Sequence, residues 1–153
     1  VDCSSITAEW GNYGCKSGSR QGSMKYVIKN GITTGDKYPY TGVQGKCRNS
    51  IGEFKIRNMI LIYDCPSLDQ AILLNPILVS VNSTNWKNYA SGVFDECDYS
   101  SYNHGVLLVG RTKDAYIVKN SWGADWADEN GYIRLKLGNC CGICDRGINP
   151  VPY

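Results

Sequence analysis

A chain of 153 residues, 42% hydrophobic and 20% charged, has the make-up of one folded domain or a large piece of one and excludes a disordered, charge-swollen segment. Sixteen basic and 14 acidic residues leave a net charge of +2; they are interspersed, so neither nucleic acid nor an anionic membrane surface is expected as a partner. No apolar run approaches the ~20 residues of a bilayer-spanning helix, so no membrane span is expected.

Eight cysteines are dense for a reducing compartment and point to disulfides, and so to a lysosomal, vacuolar or extracellular protein. Buried free thiols with one metal site are the alternative reading. Its support is weak: Cys141 and Cys144 form the only CxxC, and His104 is the only histidine. No metal and no cofactor is expected. The opening Val1-Asp2-Cys3 has no methionine and no charged, apolar leader, which reads as a processed or incompletely supplied chain.

Gly, Pro and Asn divide the chain into short elements without internal repeats. The spacing of Met24, Val27 and Ile28, followed by Asn30-Gly31, predicts a helix over 19–29 with a glycine stop. A second, shorter helix is expected over 68–74, behind Pro66 and with Ser67 as N-cap. From Pro76 the texture turns to β: residues 77–81, 105–110, 115–119 and 131–137 are rich in β-branched and aromatic side chains and bounded by turn formers. Helix and loop first, sheet afterwards, is the order of an α+β fold with an antiparallel sheet or barrel.

His104 precedes the apolar run Val106-Leu107-Leu108-Val109, and Asn120 follows the next strand, with Trp122 two residues on. Adjacent antiparallel strands would bring imidazole and amide together at one end of the sheet. An amide oxygen accepting the ring N–H would select one tautomer and aim the other nitrogen outward. A Trp packed over that contact would exclude water. This is the orienting half of a nucleophile–base–orienter arrangement, still lacking its Cys or Ser.

The strings carrying these residues resemble the papain-like cysteine proteases, the cathepsin and plant-protease family, from Val1 to about Val151. The likeness rests on Val1-Asp2-Cys3, Tyr13-Gly14-Cys15-Lys16-Ser17-Gly18, Tyr38-Pro39-Tyr40 followed by Cys47, the strand from Pro76, Asn103-His104-Gly105, Lys119-Asn120-Ser121-Trp122-Gly123 and Asn130-Gly131-Tyr132. It implies the papain-like α+β fold, in which residues 1–58 supply the rear of the helical subdomain and 59–153 the antiparallel β-barrel subdomain, with the active-site cleft between them. It implies a cysteine-type endopeptidase acting on peptide or protein substrates, with His104 as general base and acid, Asn120 as its orienter and Trp122 as the shield. Ser17 and Gly18, Asn82, Tyr102 and Arg146 fall where the family binds substrate. The resemblance pairs Cys3 with Cys47 and Cys97 with Cys141, with Cys140 able to replace Cys141, and leaves Cys65, Cys140 and Cys144 unplaced.

The departures matter as much. The family's CGSCW segment, with its nucleophilic Cys, is not among these residues, and its usual spacing from His and Asn puts it about 25–45 residues before Val1. A missing N-terminal segment or chain is therefore expected, disulfide-linked through Cys15, and residues 1–153 alone are expected to be inactive. The alternative reading is a catalytically inactive papain-like structural or binding subunit of a larger assembly. Arg146, placed by counting on from Cys141, suggests tolerance of acidic side chains. Asn82-Ser83-Thr84 matches a glycosylation sequon, but the likeness puts Asn82 on the cleft wall, where no glycan is expected.

Overall fold

The computed structural model describes residues 2–5, 10–48 and 52–153; Val1 of the opening motif lies outside them. The chain divides into two compact units, Val1–Met59 with Pro150–Tyr153, and Ile60–Asn149.

In the first unit, helix α1 spans Arg20–Asn30. Ser19 stays extended and its Oγ accepts the Gly22 N–H at 3.1 Å, satisfying one of the N–H groups a helix start leaves unpaired. The helix stops at Gly31, where φ is +77° and a Cβ would come within 2.6 Å of the Gly52 carbonyl oxygen, so both the backbone angle and the close approach require glycine. Only Gly22 of α1 is fully buried. Met24, Val27 and Ile28, the expected core face, are half-buried. A Cys3–Cys47 disulfide ties the start of the chain to the loop after Tyr40. Beside it Asp2 accepts the Gly45 N–H at 2.9 Å and the Tyr38 hydroxyl at 2.8 Å. These two donors hold its carboxyl below the usual range.

The second unit holds most of a seven-stranded sheet in the order β1-β7-β2-β4-β5-β6-β3. The strands are β1 Asn58–Ile62, β2 Ile77–Val81, β3 Val93–Phe94, β4 His104–Arg111, β5 Ala115–Lys119, β6 Tyr132–Lys136 and β7 Gly147–Val151. The central pairings are antiparallel, and the short edge strand β3 runs parallel to β6. Strand alternation sends Ile77, Val79, Val81, Leu108, Val118, Ile133 and Leu135 to one dry face, all with no exposed surface. Each such side chain contributes about 1.5–3 kcal/mol of burial. Strands β1, β3 and β7 carry no turn-bounded alternation and escape a reading of the sequence.

Helix α2 spans Cys65–Ala71 and closes over this face with Leu68, fully buried. Its N-cap is Asp64, not Ser67: the Asp64 carboxylate accepts the Ser67 N–H at 2.7 Å and the Ser67 hydroxyl at 2.9 Å. The helix therefore begins three residues before the expected start, because Asp64 sits where its oxygen reaches the N3 amide and Pro66 is tolerated in the first turn. A Cys65–Cys144 disulfide, its partners 79 positions apart in the chain, pins the start of α2. Tyr116 donates to Asp69 at 2.7 Å, and Arg111 pairs with the same carboxylate at 3.2 Å. Burial first, then the Asp69 acceptor, pushes the Tyr116 hydroxyl far up.

Near β6, Arg134 grips Glu129 with a two-pronged ion pair, Nε at 2.9 and 3.1 Å from the two carboxylate oxygens. The Gly92 N–H adds a third donor at 3.3 Å. Arg134 first, then Gly92, holds the Glu129 carboxyl below its ordinary value. A lowered folded-state pKa gives stability that is present above the unfolded glutamate value of about 4.3 and lost as pH falls through the folded one. Glu129→Gln in the full-length protein is thus expected to cost about 1 kcal/mol at neutral pH, after discount for the partly exposed Arg134. The difference from wild type should shrink to nothing in acid. Urea midpoints across the acid range check this; a gap independent of pH would refute it.

Candidate active site

Strand register sets the geometry. Leu107 of β4 lies opposite Lys119 of β5. Because the strands are antiparallel, the start of β4 and the residue after β5 share one end of the sheet. There His104 Nε2 lies 2.8 Å from Asn120 Oδ1. The same oxygen accepts the Ser121 backbone N–H at 2.8 Å. A backbone N–H only donates, so the atom facing it is the amide oxygen, and the ring nitrogen that shares this oxygen must carry the proton. His104 is thereby held as the Nε2–H tautomer when neutral, and the Nδ1 lone pair is left to receive a proton. Asn120 is 9% exposed, and its backbone N–H bonds to the Gly131 carbonyl at 3.0 Å. Its Nδ2 finds no partner among the described residues, so the amide is turned for the sake of its oxygen.

The imidazole is enclosed by indoles. Trp122 stacks on it with centroids 5.2 Å apart and planes 29° apart, and Trp86 meets it edge-on at 6.1 Å. Trp126 joins them, 5.0 Å from Trp122 and 6.4 Å from Trp86. Trp122 remains 40% exposed while Trp86 is fully buried, so one ring caps the histidine from outside and the other supports it from within. Low local dielectric strengthens the enclosed N–H···O contact. Trp86 is the site residue that the motifs did not reveal. The one cue is an isolated Trp four residues after Asn82, and nothing local says that it packs beneath His104.

The other expected site residues fall into two groups. In the second unit Asn82, Tyr102 and Arg146 converge on the turn at Cys140–Gly142. The Asn82 N–H bonds to the Cys141 carbonyl at 2.9 Å. The Tyr102 ring lies over Gly142, where a Cβ would meet Cε1 at 2.6 Å and where φ is +75°. The Arg146 guanidinium sits 4.4 Å above the Tyr102 ring. The Tyr102 hydroxyl donates to Asp145, which pushes the phenol up, and Asp145 also accepts from Asn139 at 2.9 Å.

Asn82, expected as a substrate contact, is turned inward. It is 2% exposed, its Nδ2 donates to Ser100 at 3.4 Å, and its Oδ1 accepts the Thr84 N–H at 2.9 Å. Those internal contacts engage both ends of its amide.

In the first unit Ser17 and Gly18 are exposed loop residues. The Ser17 carbonyl accepts the Tyr13 N–H at 2.9 Å, and a Cβ on Gly18 would approach Asn12 Oδ1 to 2.8 Å. Cys15, in the same loop, is an exposed free thiol among the described residues. Cys97 faces the vicinal pair Cys140 and Cys141, with Cα separations of 5.6 and 4.7 Å.

The family model described as Papain family cysteine protease matches residues 1–151. Cathepsin L 2 of Paramecium tetraurelia is 39% identical over 99% of this chain and 48% of its own length. Digestive cysteine proteinase 3 of Homarus americanus is 36% identical over 98% of this chain and 50% of its own. The chain thus spans about half the length of such curated relatives. Among solved structures, the Carica candamarcensis cysteine protease CMS1MS2, in complex with E-64, superposes with a TM-score of 0.87 at 32% identity, covering 99% of this chain and 74% of that one. The fold is papain-like, a partial helical subdomain with a mostly antiparallel β subdomain, and the chain belongs to the papain family of cysteine proteases.

Proposed function

We propose that this chain is the His- and Asn-bearing part of a cysteine-type endopeptidase whose nucleophilic Cys lies in a segment outside residues 1–153. The observation that carries the reading is the His104 Nε2 to Asn120 Oδ1 contact of 2.8 Å, which leaves Nδ1 to act as base. In the proposed reaction Nδ1 takes the thiol proton and the thiolate attacks the peptide carbonyl carbon. The imidazolium returns the proton to the leaving amine, and water hydrolyses the acyl-enzyme. Asn120 holds the ring in line through both steps, and Trp122 keeps water from the contact.

The half-buried apolar face of α1 and the exposed thiol of Cys15 support a further segment packed and tethered there. The backbones of Ser17 and Gly18 are the proposed contacts for an extended substrate. Disulfide bonding supports a lysosomal, vacuolar or extracellular setting.

Labelling of the full-length protein with an epoxide or vinyl-sulfone thiol probe tests the reading. The expected result is one covalent adduct on a cysteine outside residues 1–153, abolished by His104→Ala. A folded full-length protein that takes no label would instead be an inactive papain-like binding or structural subunit.

Arg146 is proposed to set specificity. Its guanidinium is stacked on Tyr102, whose hydroxyl donates to Asp145, which steadies the charged side chain beside the turn. Peptides with Glu or Asp next to the scissile residue should be accepted. Arg146→Ala should lower kcat/KM for them relative to a leucine peptide by about tenfold, the size of one partly screened charge contact. Equal loss on both substrates would remove Arg146 from that role.

A further inference from the structure

The segment Trp10–Asn12 lies against the start of helix α1. A Cβ on Gly22, in the first turn, would come within 1.6 Å of the Trp10 carbonyl oxygen, so helix and segment touch backbone to backbone. The Trp10 ring meets Tyr26 edge-on at 6.0 Å and holds the Lys29 ammonium 5.4 Å from its centroid. Asn12, two residues on, is 6% exposed and precedes the strings that carry the family likeness.

Asn12 closes the loop that bears Ser17 and Gly18. Its Oδ1 accepts the Ser19 N–H at 2.8 Å. Within the loop the Tyr13 N–H bonds to the Ser17 carbonyl at 2.9 Å and the Lys16 N–H to the Tyr13 carbonyl at 3.1 Å. A Cβ on Gly18 would stand 2.8 Å from the same Oδ1, so Gly18 rests directly on the buried amide. The Gly18–Ser19 peptide unit is planar and trans. With its N–H held on Asn12, its carbonyl, which belongs to Gly18, points away from that amide. Ser19 is fixed from the helix side as well: its Oγ accepts the Gly22 N–H at 3.1 Å and its carbonyl the Ser23 N–H at 2.9 Å. Asn12 Nδ2 has no partner among the described residues, so the contact made by this buried side chain is the one through its oxygen.

We propose, building on the protease reading above, that Asn12 is a positioning residue for substrate: through the Ser19 N–H it sets the direction in which the Gly18 peptide groups face an extended peptide. Asn12 itself touches no substrate. It anchors to helix α1 a loop that would otherwise have to be ordered when the peptide binds.

Three variants of the full-length protein test this. Asn12→Leu fills the volume without an acceptor, Asn12→Ala removes both, and Asn12→Asp keeps an oxygen facing the Ser19 N–H. The Leu and Ala variants should raise KM for an extended peptide about tenfold, the worth of one hydrogen bond, with kcat nearly unchanged. Asn12→Asp should stay within about threefold of wild type. Alkylation of the nucleophilic Cys by iodoacetamide, too small to use the loop, should run at one rate in all four proteins. Asn12→Leu behaving as Asn12→Asp, or a loss in kcat and alkylation matching the loss in KM, overturns the role. A wild-type protein that hydrolyses no peptide overturns the protease reading instead; the Kd of a peptide with a reduced scissile amide then carries the test, a tenfold weakening in Asn12→Leu but not in Asn12→Asp upholding Asn12. Wild type that binds no such peptide overturns both. Should the Leu and Ala variants not fold, amide hydrogen exchange on wild type decides: the Ser19 N–H should be protected, and exchange at the rate of an unstructured amide overturns the proposal.

Discussion

His104→Ala in the full-length protein is expected to lower kcat/KM by at least about 10³-fold, since under the proposed reaction the variant loses the group that both removes the thiol proton and protonates the leaving amine. Asn120→Ala should cost less, about 10²-fold, and mainly in kcat. The imidazole would remain but without the acceptor that selects its Nε2–H tautomer and ring direction. Asn120→Asp separates orientation from charge. It keeps an acceptor for both His104 and the Ser121 N–H, now as a carboxylate, and should recover part of the loss while shifting the pH profile, because a carboxylate favours imidazolium. The double variant His104→Ala, Asn120→Ala should be no worse than His104→Ala alone, because an orienter without its histidine does nothing. Additive losses in kinetic assays with a dipeptide-amide substrate would show that Asn120 acts independently of His104 and would overturn the proposed coupling.

The second large effect is on stability. Trp86 is fully buried, touches His104, Trp122 and Trp126, and donates its indole N–H to Cys141 Sγ. Trp86→Ala removes the one fully buried indole of this cluster and leaves a cavity that the surrounding strands cannot close. The expected cost is about 3–5 kcal/mol by urea unfolding. Trp86→Phe, which refills most of the volume but omits the N–H, should cost about half as much. If Trp86→Ala lay within 1 kcal/mol of wild type by about the error of that measurement, the indole cluster would not be part of the cooperative core. In whatever fraction stays folded, the same variant should weaken probe labelling, since His104 loses the ring that supports it from beneath.

The first unit and the second differ in how much of them a sequence reader can recover. In α1 the determinants are local: an extended Ser19 whose hydroxyl reaches the third amide, and a glycine at the one position where φ is positive and the Gly52 backbone crowds in. Alternating β-branched residues likewise made β2, β4, β5 and β6 legible. At α2 a local cue misled, since Asp64 and Ser67 are both good caps and the choice falls to whichever oxygen meets the N3 amide once Leu68 is buried. The short strands β1, β3 and β7 owe their extended form to a partner strand rather than to their own pattern.

By itself, then, the sequence determined the α+β order of elements, the glycine stop of α1, and the placing of His104 and Asn120 sixteen residues apart at the ends of neighbouring strands, because propensity, turn chemistry and alternation act over a few residues. Only the tertiary structure decided that Asn120 presents its oxygen rather than its nitrogen, since the deciding N–H belongs to the backbone of Ser121 in its folded conformation. Only it decided that Asn82 turns inward, that Trp86 lies under the histidine, that Cys65 meets Cys144, and that Cys97 stands within reach of two cysteines at once. Each of these depends on contacts between residues far apart in the chain, and no local pattern encodes which distant side chain will arrive.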